Sequence, residues 1–103
     1  MDRETAFGRL LAAANVLSQR LFESDRIKIS DKYLTKYAKT PAKCLALIHH
    51  DLLEYASRFD EADLKLLNLF GEILASMEVP QFTDEPLNVK YLHAYYSQQH
   101  ALR

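Results

Sequence analysis

The sequence predicts an all-α protein, a single bundle of about five helices. Two observations carry that expectation. Apolar residues recur at three- and four-residue spacing in every segment, and no strand-like alternation lasts beyond a few residues. The prolines fall between those segments, at Pro41, Pro80 and Pro86.

Helix one is expected from Arg3 to near Phe22, with Phe7, Leu10, Leu11, Ala14, Leu17 and Leu21 forming its apolar stripe. Gly8 lowers helix propensity there and marks a close helix contact. Residues 23–30 read as a connector, with Ser30 as N-cap of a short helix from Asp31 to Lys39. Pro41 suits the first position of helix three, with Thr40 as its cap. That helix is expected to reach Arg58 and to present Leu45, Ile48, Leu52, Tyr55 and Phe59 on one face. Asp60 caps helix four, whose inward face is read as Leu64, Leu67, Phe70, Gly71 and Leu74. After a loop bracketed by Pro80 and Pro86, Thr83 or Asp84 starts the last helix. Tyr91 and Tyr95, four apart, are expected to pack inward with hydroxyls at the rim, and Tyr96 to point outward.

A chain of 103 residues fits one domain that buries roughly two-thirds of its unfolded surface without disulfides. Cys44 is the single cysteine, which excludes an internal disulfide framework and suits a reducing cytoplasm. Asp2, Glu4, Arg9 and Asn15 make the N-terminal stretch unlike a secretory signal. No segment approaches the ~18 apolar residues of a membrane span. A soluble cytoplasmic protein with no membrane partner is the expectation.

The net charge of −1 hides an asymmetry. Residues 1–50 hold nine Lys/Arg against five Asp/Glu, and residues 51–103 hold four against nine. The densest basic run is Arg26, Lys28, Lys32, Lys36, Lys39 and Lys43, within eighteen residues and with Asp31 as the only acid. Lys32, Lys36 and Lys39 share one face of helix two, with Tyr33 and Tyr37 one residue round. Backbone binding with base stacking needs such a cationic track beside aromatics. On the residues alone, a solvated face is the more ordinary account of a charge run.

Other chemistry is poorly represented. His49 and His50 are adjacent, so on a helix they point about 100° apart and cannot easily share an ion. His93 and His100 share a face but lack acidic or cysteine company, and no spacing matches a zinc signature. Ser57 and Ser76 have no strand-turn-helix elbow, and two glycines cannot make a phosphate loop. Asp60-Glu61-x-Asp63 is accounted for by charge at a helix N-terminus. The expectation is a protein without catalytic residues, metal or cofactor.

The segment Val89-Lys90-Tyr91-Leu92-His93-Ala94-Tyr95-Tyr96-Ser97-Gln98-Gln99 resembles the C-terminal end of the large subunit of type I-C CRISPR surveillance complexes (Cascade). Gly8-Arg9-Leu10-Leu11, Asp31-Lys32-Tyr33 with Thr40-Pro41-Ala42, and Phe70-Gly71-Glu72-Ile73-Leu74 are similar to further signposts of that family, in the same order. The family closes on a string similar to Gly-Tyr-Tyr-His-Gln, where this chain has Ala94-Tyr95-Tyr96-Ser97-Gln98. Any role of that histidine is therefore not carried over.

In that family the C-terminal helical domain is also made as a separate short protein from an internal start, and serves as the small subunit. The resemblance implies a non-catalytic small subunit that stabilises guide RNA, target DNA and the displaced strand through sequence-independent backbone contacts. Its implied partners are the backbone and large subunits, guide RNA and target DNA, with the subunit present in one or several copies. It also turns Arg26, Lys28, Lys32, Lys36, Lys39 and Lys43 into candidate nucleic-acid-binding residues. A different class stays open: a helical protein–protein module, such as an adaptor or an anti-CRISPR mimic of the subunit, with no nucleic-acid affinity.

Overall fold

The computed structural model describes residues 1–21 and 31–102, the side chains of residues 31–33 excepted. Expectations for Phe22, the 23–30 connector and the Ser30 cap lie outside the described residues. Within them the chain forms five α-helices and no strand: α1 (Arg3–Leu21), α2 (Asp31–Lys39), α3 (Pro41–Leu53), α4 (Glu61–Ser76) and α5 (Lys90–Leu102). Single 3₁₀ turns at Ala56–Arg58 and Val79–Gln81 flank α4.

The core is organised around α1. From Ala6 to Ser18 every residue except Arg9 is buried, so α1 is enclosed on all sides rather than along one stripe. It packs most extensively against α5, then against α4 and α3. Small residues explain the second buried face. A Cβ added at Gly8 would collide with the Tyr91 carbonyl oxygen and lie 2.9 Å from both Ala94 Cβ and Tyr95 N. The close contact expected at Gly8 is therefore with α5. A run of aromatic contacts continues the core: Phe82 stacks on Phe7 at 5.7 Å, Phe7 meets the edge of Tyr37 at 6.3 Å, and Tyr37 leans on Tyr91 at 5.9 Å.

Three boundaries or faces differ from expectation. First, α3 stops at Leu53 instead of Arg58, and i→i+3 bonds tighten the chain into a 3₁₀ turn, with Arg58 N–H donating to Tyr55 O at 2.9 Å. This turn places Arg58 to donate to the Leu21 carbonyl (3.4 Å), an acceptor left open at the end of α1. Second, α4 buries Asp63, Leu66, Phe70 and Ile73, whereas Leu64 and Gly71 are exposed and Leu67 and Leu74 half-buried. The rotation follows Asp63, a polar residue turned inward by its partners. It completes a capping box with Asp60 (2.9 and 3.0 Å) and accepts from Arg20 Nε at 2.7 Å.

Third, the last helix begins at Lys90, not at Thr83 or Asp84. Tertiary bonds take the backbone groups of the intervening segment. The Arg3 guanidinium donates to the carbonyls of Gln81 (2.8 Å), Thr83 (2.8 Å) and Glu85 (2.6 Å). Leu87 N–H donates to Ala38 O at 2.7 Å while its side chain is buried. Asn88 then caps the helix, its Oδ1 accepting from Lys90 N–H at 2.9 Å.

Candidate nucleic-acid interface

The basic run divides between what the structure describes and what it does not. Arg26 and Lys28 lie outside the described residues, and Lys32 falls within α2 without a described side chain. Lys36 and Lys39 are exposed on α2, and Lys43 is exposed at the start of α3. Thr40 leaves the helical backbone (φ −140°, ψ 66°), so Lys43 belongs to a different helix from the other two. Thr40 supplies no side-chain cap; its Oγ1 turns back to Lys36 O at 3.4 Å. Pro41 fills the first turn of α3, as its missing N–H allows.

Among the described residues, the ion pairs are Arg20 with Asp60 and Asp63, and His50 with Glu54. Lys36, Lys39 and Lys43 take no part in them. Asp84 approaches Lys43 only through the backbone, its Oδ1 accepting from Lys43 N–H at 2.9 Å. Among the described residues, these three lysines at the α2–α3 corner present charge to solvent without an ion-pair partner.

The N-terminal arginines behave differently. Arg3 is spent on the 81–85 carbonyls, Arg9 donates to Gln98 Oε1 at 2.6 Å, and Arg20 binds the α4 cap. Three of the nine basic residues in 1–50 are therefore held by internal bonds. Nor do the two sequence halves form two ends of the molecule, because α1 runs along α5 and α4.

The aromatics are also redistributed. Tyr37, expected beside the lysines, is fully buried and donates its hydroxyl to Phe7 O at 2.8 Å. It cannot stack on a base. Tyr91 and Tyr95 are buried as expected, but their hydroxyls lie within the core instead of at its rim. Tyr91 donates to Leu34 O at 2.6 Å, and Tyr95 accepts from Asn15 Nδ2 at 3.1 Å. Burial pushes the Tyr91 phenol above its usual value of 10.0. Tyr96 is the outward aromatic, 54% exposed.

The histidines and cysteine find ordinary surroundings. His49 stacks on Phe70 with centroids 5.2 Å apart, and buried Cys44 touches Thr40 Oγ1 at 3.5 Å. Among the described residues no three His, Cys, Asp or Glu side chains gather as a metal site. No described helix is long and apolar enough to cross a membrane.

Among the described residues the chain is thus an α-helical bundle with three exposed lysines at one corner. Over residues 1–103 the chain matches the family described as CRISPR-associated protein (Cas_Csd1), and it belongs to that family. No curated protein and no solved structure matches it.

Proposed function

We propose that the chain is the non-catalytic small subunit of a type I-C RNA-guided DNA-targeting complex, acting in the cytoplasm on guide RNA, target strand and displaced strand. Membership of a CRISPR-associated family supports the setting, and the resemblance of its helical motifs supports the type. The observation that carries the binding role is the exposed lysine set Lys36, Lys39 and Lys43, which form no ion pair among the described residues. Contacts of this kind fix position on a phosphate backbone, and sequence is read by base pairing with the guide. An isolated patch of this size gives dissociation constants of about 10⁻⁴–10⁻⁶ M, so residence on nucleic acid depends on tethering within the complex.

Replacing Lys32, Lys36, Lys39 and Lys43 together by alanine tests the proposal in the assembled complex. The expected result is normal assembly, weaker DNA engagement and a flatter dependence of log affinity on log salt. Each lost contact flattens that slope by about 0.7 on a single strand or 0.9 on a duplex. A quadruple variant that assembles, unwinds target DNA and keeps the parental slope rejects it.

A second reading has its own observation. Leu64 and Gly71, both exposed, lie with half-buried Leu67 along one side of α4. An apolar stripe turned to solvent fits contact with another protein chain. In a subunit of an assembly both surfaces have a use; in an adaptor or anti-CRISPR mimic only the stripe would. Absence of nucleic-acid affinity at low salt would favour the second.

A further inference from the structure

Beside the lysine corner, α2 and α5 leave an open groove of about 350 Å³, at the lower end of the ~300–1,000 Å³ common for small-ligand sites. Thr35 and Ala38 form its α2 wall, and Val89, Leu92 and Tyr96 its opposite wall. Its floor is sealed by Leu87, tied to Ala38 through the backbone. Val89 is 78% exposed and Tyr96 54% exposed, so large apolar surfaces here face water.

We infer that this groove takes one unstacked base of a single-stranded nucleic acid, with the Tyr96 ring as its stacking surface and Lys39 on the adjoining phosphate. The inference rests on the nucleic-acid reading above and adds a base site to it. Three features carry it. Exposed Lys39 lies one helical turn beyond Thr35 on α2, so the Thr35 side of the groove continues to a cation. Stacking next to a backbone charge is the arrangement by which single strands are held without sequence readout.

The ring also leans on a fixed neighbour. Tyr95 meets Tyr96 edge to face, with centroids 5.0 Å apart and planes at 68°. Tyr95 in turn is buried and fixed by Asn15 and Gln99, at 3.1 and 3.3 Å. Lastly, the groove is narrow. A stable protein partner needs an interface of about 1,000 Å² or more, whereas a base needs one flat wall and one charge. The nearest acids of the loop, Asp84 and Glu85, precede the groove segment, and Asp84 is engaged at the Lys43 amide.

The test uses the purified chain at low salt with a short deoxythymidine oligonucleotide and an abasic oligonucleotide of equal length. Tyr96→Ala should weaken binding of the thymidine strand about five- to a hundredfold, and Tyr96→Phe should restore it. The abasic strand should bind the parent and Tyr96→Ala alike, and the salt slope should be the same for both. Parental binding of the thymidine strand by Tyr96→Ala overturns the base site. If lysine replacement still flattens the salt slope in that case, backbone binding stands without it. If the parent binds neither strand, both readings fall together.

Discussion

Arg20, in the last turn of α1, donates from Nε to Asp63 Oδ1 at 2.7 Å, while the other Asp63 oxygen accepts the Asp60 backbone N–H at 3.0 Å. One carboxylate therefore closes the cap of α4 and fastens α4 to the central helix. The Asp63 side chain is 6% exposed, which places this bond where water competes weakly.

Asp63→Ala removes both functions and leaves its partners without an acceptor. Stability should fall by about 1–3 kcal/mol, a drop in Tm of roughly 5–20 °C for a domain of this size. Thermal unfolding followed by circular dichroism measures it. A Tm within a degree or two of the parent would mean that the cap contributes nothing.

Acid should lower stability through carboxylates held below their usual value. The Asp63 backbone N–H holds the Asp60 carboxyl down, helped by Arg20, and the Thr5 hydroxyl and N–H hold Asp2 down. The unfolded chain takes up these protons first. The contribution is thus complete above the ordinary value of 3.8 and is lost as pH falls toward the lower folded values. At the alkaline side, buried Tyr91 keeps its proton while the unfolded chain ionises near 10.0, so stability declines above that pH. Urea midpoints across pH check both flanks, and Asp60→Asn should soften the acid one.

The two glycines should respond in opposite directions to alanine. At Gly8 the new Cβ meets the α5 backbone, so Gly8→Ala should cost about 1–3 kcal/mol despite its better helix propensity. At Gly71 nothing lies within 4 Å, so Gly71→Ala should gain up to about 1 kcal/mol. Equal Tm shifts for the two variants would contradict the close α1–α5 contact.

The outward stripe of α4 should matter to assembly but not to folding. Leu64 is 47% exposed, so Leu64→Asp should stay within about 0.5 kcal/mol of parental stability. If a neighbouring subunit covers the stripe, less of this variant should co-purify with the complex. Parental recovery would remove Leu64 from any interface.

Helix type and number were legible because apolar spacing is a local signal, and α2 matches its expected span, Asp31–Lys39. What failed was decided by tertiary bonds. Arg3, some eighty residues distant in sequence, holds the carbonyls that an earlier start of α5 would have used. The inward face of α4 was misjudged because a pattern of leucines does not reveal that Asp63 is buried. Exposed lysines were legible as a run, but the places of the aromatics were not: Tyr37 donates its hydroxyl to Phe7 O in the core, the Tyr33 side chain is not among those described, and Tyr96 lines the α2 groove only through the fold.

The fit of Gly8 against Tyr91 also has a bearing on how the chain reaches its native state. Along the chain α1 is synthesised before α5, the helix that forms most of the wall enclosing it. Until α5 leaves the ribosome, α1 must wait with an unshielded apolar surface, and the contact that closes the core spans nearly the whole sequence. Such long-range closure slows folding and lengthens exposure to aggregation. The segment most similar to the family's closing string is thus also the one whose emergence lets the rest of the chain condense.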